Sequence, residues 1–206
     1  MNTTLTLATT ALVALAATTH AAESELRPYV GLDVTRVMAD YKDGNDMLFK
    51  DDLNGVSPYV GVQFNKYVGA EISYLQTGNG KKSPNLSANI PGYGVATLDE
   101  TKIKVSGFSL DAVGRLPITA DEKLTLLGSA GIGRYKADAT YSGSLAGVPV
   151  SVKDDTKDTA LRLGAGAQYQ ITDNIGARAM VRYIKADFDD VVDNLVTASV
   201  GLNYRF

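Results

Sequence analysis

The sequence predicts an all-β chain, an eight-stranded antiparallel up-and-down transmembrane β-barrel preceded by a cleavable signal peptide. Three observations carry this: a two-residue apolar alternation recurring in eight segments, short and long connections that alternate between them, and an apolar, charge-free N-terminus. Side chains alternate across a strand, so a strand between lipid and a polar interior shows this period. Beyond the N-terminal stretch, no apolar run approaches the roughly 18 residues that a membrane-spanning helix needs.

The apolar stretch 5–17 is too short to span a bilayer and runs into Thr19-His20-Ala21, a small-x-small pattern suited to signal peptidase. We expect residues 1–21 to be the signal and 22–206 the barrel domain. Met1 to Thr4 carry no Lys or Arg, so a disordered or buried N-terminal helix is the competing reading. With cleavage after Ala21 the mature chain has no histidine, since the single His of the sequence is His20, and it has no cysteine or tryptophan.

In the first strand Val30, Leu32 and Val34 oppose Tyr29, Gly31 and Asp33. The second sets Val60, Val62 and Phe64 against Tyr59, Gly61 and Gln63, and the third Val68, Ala70, Ile72 and Tyr74 against Gly69, Glu71 and Ser73. In the fourth, Phe108, Leu110, Ala112 and Leu116 oppose Ser109, Asp111 and Arg115. In the fifth, Leu124, Leu126, Ala130 and Ile132 oppose Thr125, Ser129, Gly131 and Gly133. The sixth and seventh alternate from Leu161 to Ile171 and from Ile175 to Tyr183, with Arg162, Arg178 and Arg182 on their polar faces. The eighth is the most regular: Val196, Ala198, Val200, Leu202, Tyr204 and Phe206 against Thr197, Ser199, Gly201, Asn203 and Arg205.

Strands 2–3, 4–5 and 6–7 are joined by short segments (65–67, 118–122 and 172–174). The others are joined by long ones, roughly 39–55, 78–102, 136–158 and 185–194. All short turns then fall at one end of the barrel and all long loops at the other, the asymmetry of outer-membrane barrels. Pairing Phe64 with Val68, and Ile171 with Ile175, sets Gly61 opposite Glu71 and Gly164 opposite Arg182, small against long inside a narrow interior. In loop 136–158 the alternation persists through Val148, Val150 and Val152, which predicts a hairpin extending past the membrane. A soluble lipocalin-like ligand carrier would turn the apolar face inward; the Gly-, Ser-, Gln- and Arg-rich polar face suits a narrow lumen better than a water-facing shell.

The stretch Gly164–Tyr183, with its glycine–tyrosine strand and Thr172-Asp173-Asn174 turn, and the terminal Val200–Phe206 resemble the OmpA-like outer-membrane β-barrel superfamily over residues 27–206. No peptidoglycan-binding domain follows in this sequence, and the tryptophan common in aromatic girdles is missing. The resemblance implies a Gram-negative outer-membrane protein with both termini periplasmic, surrounded by outer-membrane lipids and lipopolysaccharide. It also implies that Val196, Ala198, Val200, Leu202, Tyr204 and Phe206 form the assembly signal read by the barrel-assembly machinery, with periplasmic chaperones handling the chain beforehand.

On the inward face, Glu71 and Asp111 against Arg115, Arg162, Arg178, Arg182 and Arg205 form the expected lumenal polar network. It is either a structural plug or the gate of a small ion-conducting pore. No catalytic, cofactor or metal site is expected. The enzymes known on small outer-membrane barrels resemble one another in needing a histidine base, and a hydroxyl without an adjacent base is a weak nucleophile. Asp187, Asp189, Asp190 and Asp193 could offer oxygens to Ca²⁺ but lack the spacing and glycine of an EF-hand. Gly128–Gly133 lies inside a strand, not before a helix, and so reads as no dinucleotide site. Gly78–Ser83 has a misplaced first glycine and no following helix, and reads as an exposed basic loop.

The formal net charge of −3 shows no basic footprint for nucleic acid. Loops 39–55 and 185–194 each carry net −3, so acidity gathers at the long-loop end. This end is where a structural or adhesin-like surface role would reside. The possible contacts are cation-bridged lipopolysaccharide or a host or phage ligand, with Met47, Leu48, Phe49 and the Ile90–Val95 stretch as apolar candidates.

Overall fold

The computed structural model describes residues 26–41, 52–92, 94–188 and 192–206, the side chains of 39–41, 186–188 and 192–193 excepted. The expected signal peptide and Met47, Leu48 and Phe49 lie outside the described residues, as do the side chains of Asp187 and Asp193 and the whole of Asp189 and Asp190. Ten strands follow in order: β1 Arg27–Tyr41, β2 Asp52–Gln63, β3 Val68–Thr77, β4 Gly80–Lys82, β5 Leu86–Ile90, β6 Gly94–Pro117, β7 Leu124–Leu145, β8 Val148–Gln170, β9 Ile175–Phe188 and β10 Val192–Arg205.

Eight of them close a ring, β1–β2–β3–β6–β7–β8–β9–β10, in which every neighbour is antiparallel. Closure is made by the C-terminal strand, which pairs with β9 on one side and with β1 on the other, for example Val34 with Val200. The expected registers are present: Gly61 faces Glu71 and Gly164 faces Arg182. Gly61 takes part in a reciprocal packing, because Tyr29 lies over Gly61 while Tyr59 lies over Gly31 on the same pair of strands. A Cβ on Gly31 would sit 2.2 Å from the Tyr59 ring and one on Gly61 2.3 Å from the Tyr29 ring, so with both substituted neither ring could lie flat against the wall.

The short turns are closed by their own polar side chains. Asn65 Oδ1 accepts from the amides of Tyr67 and Val68 at 2.8 and 3.0 Å, and Thr172 Oγ1 accepts from the Ile175 amide at 3.0 Å. Between β6 and β7, the Thr119 hydroxyl and the Lys123 amide hold the Asp121 carboxyl below the usual carboxylate range.

Outside, the apolar alternation forms a belt, with Leu32, Ile72, Leu110, Ile132, Leu163, Val181 and Val200 all exposed. Along β8 and the residue after it the belt runs from Leu161 to Ile171, about 33 Å along the strand and about 24 Å high at the usual tilt of roughly 40–45°. That height matches the apolar band of an outer-membrane barrel. Aromatics mark both rims without tryptophan. Tyr74, Phe108 and Tyr183 sit at the long-loop side, and Phe64, Tyr67, Tyr169, Tyr204 and Phe206 at the short-turn side. Tyr74 and Phe108 pair across strands with ring centroids 4.5 Å apart, and Tyr204 meets Phe206 edge-on at 5.2 Å. A soluble carrier would have this face inside.

The connection expected over 78–102 differs from the sequence reading. It contains β4 and β5, and β6 already begins at Gly94; both short strands pair with β6. Gly78–Ser83 is therefore not a plain loop, because Gly80 to Lys82 add to the sheet. These segments are too short for a period to show, and only the long β6 beside them lets them pair.

Candidate functional site

The lumen is filled by three buried carboxylates and three buried guanidinium groups: Asp33, Glu71 and Asp111 with Arg162, Arg178 and Arg182. Formal charge balances within this set. Glu71 and Asp111 stand directly opposite one another on β3 and β6, a like-charge pair that would be destabilising alone. Arginines from the far wall separate them. Arg178 on β9 donates to Glu71 Oε2 at 2.6 Å and to Asp33 Oδ2 at 2.7 Å, with its Nε on Asp33 Oδ1 at 3.0 Å. Its guanidinium carbon lies 3.4 Å from the centre of the Tyr59 ring.

Arg162 on β8 takes Asp111, at 3.1 Å, and donates to Ser109, to Ser73 at 3.3 Å and to Tyr135 at 3.3 Å. Arg182 lies 3.7 Å from both Asp33 and Glu71 and donates to Ser199 at 3.2 Å. Tyr29 adds its hydroxyl to Glu71 at 3.3 Å. A fork of five donors on a planar group is suited to bridging two carboxylates from different strands.

Five of the seven expected lumenal residues thus meet in one cluster: Glu71, Asp111, Arg162, Arg178 and Arg182. Arg115 and Arg205 do not join it. They stand at the short-turn mouth, where Arg205 donates to the Asp173 carbonyl at 2.9 Å. Sequence reasoning placed Asp33 on the polar face of the first strand but left it out of the network, although it accepts from Arg178 across 145 residues of chain. The signal available was charge balance, which needed one more acid on an inward position.

The inward face is not polar throughout. Toward the long loops, Val37, Leu53, Leu75, Ile103, Val105, Tyr135, Ala160, Ile184 and Leu195 pack into a buried cluster inside the ring. Their phase along each strand is that of the arginines, two to four positions further on. At the same level the outward face becomes polar: Ile132 is followed by Arg134 and Lys136, Leu161 is preceded by Thr159 and Lys157, and Phe108 by Ser106 and Lys104. The barrel therefore exchanges its apolar side at one height, from outside to inside.

Above that height, β6, β7 and β8 continue as a sheet with β5, and β7 turns into β8 through Ala146-Gly147. Both turn residues have positive φ, 50° and 81°, the two-residue hairpin of type I′. The outer face of this sheet carries a ladder of ion pairs, Lys136 with Asp138 and Asp155, Lys157 with Asp155, and Lys102 with Glu100. Its inner face carries Val148, Val150 and Val152, paired with Leu145, Gly143 and Tyr141, and further along Leu98 and Leu86. The three valines are 65, 45 and 56 % exposed. Among the described residues, β8 pairs with β9 only from Leu161 onward, which leaves the edge of 148–160 open beyond β7. Pro149, Lys153 and Lys157 on that edge are residues that discourage indiscriminate strand pairing.

Among the described residues no group of His, Cys, Asp or Glu is placed to hold a metal ion. The family model described as outer membrane protein beta-barrel domain matches residues 7–206. No curated protein gives a match. Among solved structures, the attachment invasion locus protein Ail of Yersinia pestis is similar at 22% identity, covering 90% of this chain and 100% of that one, with a TM-score of 0.51. Neisserial surface protein A is similar at 14% identity (88% and 97% covered, TM-score 0.54), and OprG of Pseudomonas aeruginosa at 13% (89% and 97%, TM-score 0.53). At these identities the likeness is one of fold.

Proposed function

The chain belongs to the outer membrane protein β-barrel domain family, and from that premise we propose a non-catalytic integral outer-membrane protein with a surface-interaction role. Contact is made by the sheet of β5–β8 that stands above the lipid belt. The observation carrying this is the exposed stripe Val148, Val150 and Val152 on a strand whose edge is open among the described residues, above a lumen capped by an apolar cluster. An apolar face held away from lipid and backed by charges is costly to keep in water unless a partner covers it.

Residues 1–21 serve as the export signal, both termini lie in the periplasm, and the alternating face of β10 ending in Phe206 is the signal for barrel assembly. Lysines on the outer face of β6–β8 lie where lipopolysaccharide phosphates would meet the barrel just above the belt.

The test removes residues 139–154 and joins Asp138 to Asp155, which pair directly, through an Asn-Gly turn. Cells displaying this variant at wild-type surface levels should lose attachment to host cells or to immobilised matrix. Unchanged attachment in every such assay would sink the surface-contact role of the sheet and leave an envelope-structural one.

A further inference from the structure

We propose that the short-turn mouth of the barrel is a binding site for a small oxyanion of the phosphate or carboxylate type, held chiefly by Arg115 and Arg205. The mouth is a cavity of about 330 Å³. The charges further in are matched three to three, so Arg115, on the inward face of β6, is surplus to the lumenal network. Arg115 is in none of the lumenal ion pairs among the described residues, and Tyr29 and Glu71 act on its charge from the inner side. Arg205 spends its Nη2 on a backbone carbonyl, that of Asp173, and not on a carboxylate. Arg27 and Lys123 line the same cavity.

The acids at the rim balance these groups only in part: Asp121, Glu122 and Asp173 stand against Arg27, Lys66, Arg115, Lys123 and Arg205, a formal surplus of two positive charges, with the Asp173 carboxylate acting on Arg205. Glu122 lies 3.9 Å from Lys66, and Asp121 accepts from the backbone amide of Lys123. Asp173 offers its carbonyl to Arg205 and to Gln170. Two arginines converging on a partly enclosed polar cavity of net positive charge make an arrangement that an anion stabilises. The fork geometry of guanidinium suits planar or tetrahedral oxygens. A cavity of this volume admits a phosphate group with several of its waters.

The test uses the protein purified from outer membranes into a detergent without phosphate, with arginine Nε–H signals recorded by NMR at constant ionic strength. Inorganic phosphate and a short-chain phosphatidylglycerol are added in separate titrations, which separates a free anion from a lipid headgroup. We expect the signals of Arg115 and Arg205 to move together and saturably with at least one of the two, while those of Arg162, Arg178 and Arg182 stay in place. Arg115→Gln, checked for folding by heat-modifiable migration on a gel, should weaken binding at least about tenfold. The proposal is overturned by an absence of shifts, by non-saturating shifts shared with the exposed Arg36 and Arg134, or by an Arg115→Gln protein that binds as tightly as wild type. If Arg115→Gln does not fold, the wild-type titration alone decides.

Discussion

Arg178 is the residue on which the interior depends most directly. It satisfies two carboxylates that come from β1 and β3 and stacks on a ring from β2. Arg178→Ala leaves Asp33 and Glu71 with the 3.7 Å contacts of Arg182 and one neutral hydroxyl donor each, Ser199 and Tyr29. We expect a loss of about 3–5 kcal/mol in urea unfolding of the bilayer-embedded barrel. Arg178→Lys should not restore it, since an ammonium cannot reproduce the fork. At the hairpin tip, Ala146 holds a left-handed conformation that a side chain with Cβ adopts at a cost. Ala146→Asn should stabilise the tip by up to about 1 kcal/mol, read as slower hydrogen exchange of the amides of 143–150 with little change in global stability. Single-residue alternation was enough to place Glu71, Asp111, Arg162 and Arg182 on the inside. It could not match partners, because which arginine reaches which acid depends on curvature that brings β9 against β1 and β3. Asp33 went unrecognised in the network for that reason.

At the scale of elements, β10 is both a wall strand and the closure of the ring. The Phe206 amide donates to the Pro28 carbonyl at 3.1 Å, so the chain end is tied to the chain start of the barrel. Deleting Phe206 should reduce outer-membrane insertion several-fold, measured as the heat-modifiable fraction in isolated membranes; an unchanged fraction would remove it from the assembly signal. The eight barrel strands were legible because each keeps one phase over many residues. The β7–β8 hairpin was legible too, since Val148, Val150 and Val152 continue the period. β4 and β5 were not, because three and five residues give too few alternations and their pairing is decided by β6. A bulge between Leu98 and Glu100 on β6 further shifts the phase there, so that the apolar face of the extension cannot be followed along that strand by counting.

For the whole molecule, the stacking order inside the ring decides permeability. The charged network is capped on its long-loop side by nine buried apolar residues, beside which the Thr77 and Thr101 hydroxyls are buried, Thr77 accepting from the Val105 amide. The protein should show no steady single-channel conductance in planar bilayers. Glu71→Ala should leave it closed, because breaking the ion pairs does not open the apolar layer above. A steady conductance in wild type, abolished or enlarged by Glu71→Ala, would favour the gated pore. The expectation of a polar lumen came from composition near the belt; the upper layer escaped it because Val37, Ile103 and Ile184 lie beyond the last lipid-facing residues of their strands.

The exchange of apolar sides at a single height also sets how deep the barrel floats. Sinking by two residues would drag Arg134 into hydrocarbon, and rising by two would lift Ile132 and Leu161 into water, so the molecule has one waterline. Measured from it, the thirteen residue steps from Leu161 back to Val148 carry the hairpin tip about 43 Å along the strand. The barrel is thus a mast of fixed height, and whatever meets its tip does so well clear of the headgroups.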